Sequence, residues 1–561
     1  VPLPDLGEVR SDVKFVPKHI DNVPAYRPVV GASLGCELGG LAMPHVDTTD
    51  PETTLGGMGK RLVFQPPFPV FVKIRKIRRF VQRWCKKYLT PLSPDADTSF
   101  ETWISQTKYS EARKTQLREV YNKLREDPYY KTYHRDRKVD CFVKDETYPE
   151  YKYPRGIYSR TDTFKVLVGP IIKLIEHELY AVRSLKYDLP YFIKNVPVID
   201  RPKMLMEMYT PEAFYAATDY TSFEGHFKNT IMKAIECEMY EYMIQFLPQK
   251  EWFESEFMAT IMGENYCNFY YFVLLIEATR MSGEMNTSLG NGFSNLMLML
   301  FICSERGISE PPGFVEGDDG IFRFTDRSNV PTSQDFKDLG FTIKIEWHTN
   351  LSTASFCGIV FSEEDLNNIT NPIESLLSFG WTTRRYCRSK PKILKELLRA
   401  KAYSMLYSYP GCPILRSLAE YGLRVTQGSH TKFAFENEYM RNKYSHVMAE
   451  ILSGNDKFTK IKIGNSTRCL VAERYGIPVE TQIIFEKYLD SLNEIQTLDS
   501  DLLFSFMNKH IVDYSLRYVM DVDYTRKDLD YLPFNMGVPL PYSRMMVTEM
   551  NRRRQVLTKN W

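Results

Sequence analysis

Three aspartates are the residues in this chain with the clearest chemistry. The stretch "GFVEGDDGIFRF" (313–324) sets Asp318 and Asp319 between Gly317 and Gly320, with Phe314 and Val315 before them and Ile321, Phe322 and Phe324 after. Apolar runs on both sides of a glycine-flanked acidic pair read as a β-hairpin turning at the carboxylates. Taken alone, such a turn is ordinary, because Asp and Gly favour turns for local backbone reasons. A calcium loop fits less well, since "DDGIFRFTDRSN" lacks the alternating oxygen ligands and the terminal Glu of an EF-hand. Asp219, at the end of the strand-like run "AFYAATD" (213–219), changes the weighting. Magnesium takes hard oxygen ligands, typically one or two carboxylates plus substrate phosphates. Aspartates converging from a strand end and a hairpin tip suit two such ions about 4 Å apart, one activating an attacking hydroxyl and one stabilising a leaving pyrophosphate. That is nucleotidyl-transfer chemistry.

The elements that must position these groups follow from periodicity. After the 213–219 strand, "EGHFKNTIMKAIECEMYEYMIQFL" (224–247) carries helical apolar spacing at Phe227, Ile231, Ile235, Met239, Tyr242 and Phe246. Between the strand and the hairpin lies "RMSGEMNTSLGNGFSNL" (280–296), a small-residue loop at Ser282 and Gly283 running into a helix that starts near Thr287 and carries Asn291. Short hydroxyl and amide side chains suit a sugar hydroxyl, and such a site rejects a sugar lacking it because its own polar groups are left unpaired. A plain capped helix start is the alternative. The first seventy residues, rich in Pro and Gly, read as an irregular arm laid over other domains. "FVKIRKIRRFVQRWCKKYL" (71–89) puts Ile77, Phe80, Val81, Trp84 and Tyr88 on one helical face and basic residues on the rest. It reads as a packed amphipathic helix, a wall facing phosphates or a membrane-surface helix. Residues 99–126 read as helices, 138–168 as short strands with interspersed basic residues, and the chain beyond 370 as mostly helical, opening on the basic "RRYCRSKPKILKELLRAK" (384–401).

Composition narrows the class. The 561 residues are 43% hydrophobic and 25% charged, as in an ordinary globular protein, with a net charge of only +2, so nucleic-acid affinity must come from clustered charge. The 10 cysteines contain no CxxC pair, which argues against zinc and for reduced thiols of an intracellular protein. The apolar runs 269–278 and 296–303 are far short of the roughly 20 residues that span a bilayer, and "GGMGKR" (56–61) lacks the spacing and Ser/Thr of a P-loop. No signal peptide is visible, and an opening Val1 suggests a processed or excised fragment.

"TDYTSFEGHF" (218–227), "SGEMNTSLGN" (282–291) and "EGDDGI" (316–321), in this order and separation, resemble motifs A, B and C of the RNA-dependent RNA polymerases of positive-strand RNA viruses. The wording of motif B is most similar to tombusvirus-like and nodavirus-like groups, and the length and spacing also to the flavivirus family. "CFVKDETYPEYKYPRGIYSR" (141–160) resembles motif F, "LGFTIKIEW" (339–347) motif D and "SFCGIVF" (355–361) motif E; the stretch around Tyr109 and Lys114 is a loose match to motif G.

The resemblance implies an α+β right-hand polymerase with a palm antiparallel sheet packed on helices and a mostly helical thumb. Its parts would be an arm and basic helix (1–90), fingers (91–187), palm (188–227), further fingers (228–284), further palm (285–370) and thumb with tail (371–561). It implies two Mg2+ ions, replaceable by Mn2+, on Asp219, Asp318 and Asp319. Lys344 would protonate the departing pyrophosphate, with an edge-strand lysine as the plain alternative. Nucleoside triphosphates would meet Lys144, Lys152, Arg155 and Arg160, with Glu146 in the pattern's acidic position, and sugar selection would use Glu224, Ser282, Gly283, Thr287 and Asn291. Single-stranded RNA template and nascent duplex would meet Arg384, Arg385 and Arg388 and the 71–89 helix. Other viral replication proteins and membrane-associated complexes in the host cytoplasm are further implied surroundings. The family usually has Asp where Glu224 stands, so the expected hydrogen-bond chain from this acid to Asn291 and Thr287 must accommodate an extra methylene. Rival readings are a reverse transcriptase-like polymerase and a catalytically silent RNA-binding scaffold.

Overall fold

A computed structural model describes residues 8–20, 31–126, 137–387, 389–431, 434 and 460–518. It is a mixed helix and sheet protein built around a four-stranded antiparallel sheet, ordered Ile343–His348, Phe214–Tyr220, Asp319–Phe324, Gly313–Glu316. Phe214–Tyr220 lies between two neighbours and is buried at every position but Asp219, which explains its nearly continuous apolar sequence. Its side chains still alternate. Phe214, Ala216 and Tyr220 enter the main core with the helix Thr287–Glu305, whereas Tyr215 packs on the opposite face with Phe314, Ile321, Met204 and Phe356. The apolar run at 296–303 is the buried interior of that helix, and no described helix is long and apolar enough to cross a membrane.

Ile74, Ile77, Val81, Trp84 and Cys85 of the helix Phe71–Tyr88 pack on Asn229–Ala234, Glu236–Ile244 and Thr287–Glu305, the helical layer behind the sheet. Its amphipathic pattern is thus satisfied by a core. The helix expected over 224–247 is interrupted twice. Ser222 takes a left-handed conformation (φ 50°) before the turn Phe223–His226, and the Thr279 amide bonds the Phe227 carbonyl at 2.7 Å, occupying an acceptor that a continuous helix would need. A second break falls at Ile235, with φ −117° and ψ −81°.

The N-terminal arm is more ordered than its composition suggests. Lys14–Pro17 forms the edge of a five-stranded sheet, followed by Phe272–Glu277, Glu264–Asn268, Lys138–Val143 and Gly156–Arg160. Asp50 caps Pro51–Met58 by accepting from the Thr53 amide at 2.6 Å, with Pro51 at the first helical position. Between that strand and this helix, Cys36, Leu38 and Leu41 fill the core of the C-terminal helices together with Leu376, Leu398, Leu418, Tyr421 and Phe485. Those helices include Pro372–Phe379, Pro391–Ser408, Leu415–Val425 and Val479–Ser491. All ten cysteines are free thiols.

Candidate active site

The register of the hairpin determines where its acids sit. Glu316 pairs with Asp319, leaving Gly317 and Asp318 as a two-residue loop, with Gly317 at φ 62° and Asp318 on the ordinary side. A positive φ at the first loop position alone is what a type II′ turn requires, and glycine supplies it. Gly320 serves packing instead, because a Cβ there would meet the Thr218 hydroxyl at 2.7 Å. Thr218 pairs with Gly320 and Lys344 with Asp219, so continuing the register by one residue sets Asp219 opposite Asp319. Residues directly opposite on paired strands share a face. Lys344, Asp219, Asp319 and Glu316 thus form one row across the sheet, on the face turned away from the helical layer, with Asp318 at its tip.

The carboxylates perturb one another. Burial raises Asp318 above the usual range, Glu224 and Asp219 add to the rise, and Arg155 opposes it. Asp318 is open to solvent at the tip, yet protein crowds its carboxyl enough for burial to dominate. Asp319 is pushed to about 7 by burial and by Asp318 and Asp219, with the Cys357 thiol opposing as a hydrogen-bond partner. Close acids held against their own repulsion fit a hard divalent cation, which supplies the missing positive charge. As the side chains stand among the described residues, no three acidic, His or Cys groups close around a single point, so an ion would have to draw them together.

Asn295 holds this tip in place. Its amide donates to the Gly317 and Asp319 carbonyls at 3.2 and 3.0 Å and accepts from the Tyr220 hydroxyl at 3.2 Å. Sequence reading missed Asn295, although it lies four residues beyond Asn291 and so on the same helical face. Arg201, likewise missed, pairs with Glu316 at 2.7 Å.

The loop before the helix is braced by the strand Gly156–Arg160. The Tyr158 amide donates to the Ser282 carbonyl at 3.2 Å, and a Cβ on Gly283 (φ 152°) would meet the Tyr158 carbonyl at 2.7 Å. Thr287 donates to the Met281 carbonyl at 3.0 Å and accepts from the Gly283 amide at 3.2 Å. The expected chain from Glu224 to Asn291 and Thr287 is not formed. Glu224 pairs with Arg61 at 3.0 Å, whereas Asn291 Oδ1 accepts from Arg280 Nε at 2.9 Å. Arg280 is fully buried, with Glu236 as its counter-ion at 2.7 Å, and its own amide donates to the Glu224 carbonyl at 3.1 Å.

The basic residues separate into two groups. Arg155 is half-exposed, lies close enough to stabilise ionised Asp318, and pairs with Glu146 at 2.5 Å, while Lys144 bonds the same acid at 2.7 Å. Burial raises Glu146, but those two cations and Tyr148 hold it at about 2. Lys152 is exposed, 5.9 Å from the Tyr148 ring centre. Arg160 corrects the expectation of a phosphate contact: its side chain is 1% exposed and is spent on Glu284 and Asn265. Strand alternation turns it inward, and Glu284 of the Ser282 loop supplies the counter-charge. Lys344 is an edge-strand lysine, 70% exposed and bonded to Glu346, across from Asp219. Arg385 is exposed beside Tyr386, while Arg388 and the side chain of Arg384 lie outside the described residues. The 71–88 helix also departs from expectation. It packs behind the helical layer, on the far side of the sheet from the aspartates, so its basic face does not line a channel over them.

Comparison with known proteins gives a consistent result. The family model described as viral RNA dependent RNA polymerase matches residues 58–496. A protein of Barley yellow dwarf virus (isolate MAV), provisionally named RNA-directed RNA polymerase, is 23% identical over 408 residues, covering 70% of this chain and 45% of the relative. The RNA-directed RNA polymerase of Oat chlorotic stunt virus (isolate United Kingdom) is 22% identical over 370 residues, covering 61% of this chain and 45% of the relative. The chain therefore spans less than half the length of the curated relatives it matches.

Proposed function

The chain belongs to the viral RNA-dependent RNA polymerase family, and on that premise we propose that it catalyses template-directed nucleotidyl transfer from nucleoside triphosphates to a growing RNA strand. The reading is carried by one observation: Asp219 and Asp319 fall in a single cross-strand row with Asp318 at its tip, on the sheet face turned away from the helix Thr287–Glu305. The four-stranded sheet is then the palm, the five-stranded sheet part of the fingers and the C-terminal helices the thumb. Asp219 and Asp318 would hold Mg2+, with Asp319 in support. Bound there, the metal supplies Lewis-acid stabilisation of the attacking and leaving oxygens. Arg155 and Lys144 meet the triphosphate, where a guanidinium fork matches phosphate oxygens. Ser282, Thr287 and Asn291 face the sugar. Lys344, opposite Asp219 on the same face and held protonated by Glu346 and by Asp219, would give a proton to the departing pyrophosphate. RNA template and product pass over the same face.

A primer-independent synthesis assay on a short RNA template, with wild type beside Asp318→Ala, tests the reading. Synthesis by wild type with Mg2+ or Mn2+, lost in the variant while RNA binding persists, is the expected result. A wild-type chain inactive on every template would mark a scaffold, and a preference for deoxynucleotides would mark a reverse transcriptase.

A further inference from the structure

Arg61 lies in the N-terminal arm, outside every motif, in the wide helical turn Gly59–Val63. That turn is docked on Phe223–His226. The Ser222 hydroxyl donates to the Lys60 carbonyl at 3.2 Å, and Gly225 is the point at which any Cβ would strike the Arg61 carbonyl. From this seat Arg61 Nη1 donates to Glu224 Oε1 at 3.0 Å, with both side chains mostly buried. No other side chain bonds the Glu224 carboxylate among the described residues. The charge of Glu224 is felt by Asp318 and by the buried Tyr158, so its orientation bears on the site. On the other side, Arg280 occupies Asn291 Oδ1, which leaves the Asn291 side-chain N–H groups as the donors it can offer.

We propose that Arg61 is a specificity-determining positioning residue: it fixes one oxygen of Glu224 so that the other accepts from the ribose 2′-hydroxyl, while Asn291 donates to that hydroxyl. The inference rests on the polymerase reading and deepens it. It also accounts for the longer acid. The extra methylene of Glu224 reaches the arm, and a guanidinium there replaces the restraint that a shorter side chain would obtain from its own stem. A deoxynucleotide leaves the free carboxylate oxygen unpaired, which is the origin of the discrimination. Without Arg61 the carboxylate is no longer held in one orientation and discriminates less between the sugars.

The test is single-nucleotide incorporation with CTP and with 2′-deoxyCTP, reporting kcat/KM for each. Arg61→Ala should lower the ribo-to-deoxy ratio by about tenfold, the equivalent of about 1.4 kcal/mol, with RNA affinity unchanged. Arg61→Lys should restore much of the ratio. Glu224→Gln should lower it similarly, and the double variant should fall no further than either single one, because both act on one interaction. An unchanged ratio in Arg61→Ala, or equal losses for both nucleotides, overturns the proposal and reduces Arg61 to a tether. If Arg61→Ala fails to fold, Arg61→Met, which keeps the aliphatic stem and removes the donors to Glu224, decides by the same criterion. A wild-type chain that incorporates neither nucleotide defeats the polymerase reading itself, an outcome distinct from an active enzyme indifferent to Arg61.

Discussion

Replacing Asn295 by Leu tests whether the hairpin tip is held from the helix beneath it. The two side chains are close in volume, so little of the effect comes from a cavity. Three neutral hydrogen bonds are lost, two to the Gly317 and Asp319 carbonyls and one from the Tyr220 hydroxyl. At about 1 kcal/mol net for each, the expected loss of stability is about 3 kcal/mol. Water can reach the half-exposed carbonyls at the tip but not the buried Tyr220 hydroxyl, so about 2 kcal/mol is a lower bound for the same count. If about 1.4 kcal/mol of this restrains the tip in the transition state, the incorporation rate at saturating triphosphate falls about tenfold. Asn295→Asp should be worse, because it keeps the acceptor for Tyr220 but loses both donors and adds a charge beside Asp318 and Asp319. Urea unfolding and single-turnover incorporation measure the two effects. An Asn295→Leu protein within about 0.5 kcal/mol of wild type and equally fast would falsify the assigned role.

Three further outcomes follow from the electrostatics. Asp319 is raised from 3.8 to about 7, so the folded state holds its proton more tightly than the unfolded state does; stability is greatest below the lower value and is lost as pH rises towards the higher one. Metal-free protein should therefore melt at a lower temperature at pH 8 than at pH 5.5, Asp319→Asn should flatten that slope, and an identical slope in the variant would contradict the assignment. Glu37 is fully buried among the C-terminal helices, and burial pushes it to about 8 against the opposing pull of the Glu37 and Gly35 backbone amides. By the same sign the loss begins above the unfolded value of 4.5, so Glu37→Gln should raise the melting temperature relative to wild type by more at pH 9 than at pH 6, read by thermal scans at both values. Arg160→Ala, which strands Glu284 in the interior, should cost about 3–5 kcal/mol in urea unfolding, whereas Arg155→Ala should change stability little and raise KM for triphosphate about tenfold. A reversal of those two phenotypes would place Arg160, not Arg155, at the phosphates.

The local arguments carried far. Glycines around Asp318 and Asp319 specified a hairpin because a glycine at the first loop position suits a two-residue type II′ turn, and the strand-like apolar run "AFYAATD" was enough to bring Asp219 out near a strand end. Arg160 and Glu224 were harder. Arg160 carries the same charge as Arg155 and stands five residues away, yet one faces inward to Glu284 and the other outward to Glu146. A sequence shows the charge of a side chain but not the counter-charge that will desolvate it. The 71–88 helix is a similar case: its apolar stripe was plain, but which core it would join depended on helices far along the chain, among them Glu236–Ile244.

What the chain determined by itself was the local structure and the chemistry available: turn residues, strand and helix periods, and three carboxylates with a hydroxyl- and amide-bearing loop between them. Backbone preference and hydrophobic period act over a few residues, so they can be read in order along the chain. The tertiary structure alone decided register and pairing. It set Asp219 opposite Asp319, tied the tip to Asn295, brought Arg61 across 163 positions to Glu224 and buried Arg160. Such contacts depend on how separate elements stack against one another, and each costs chain entropy that only the assembled core offsets.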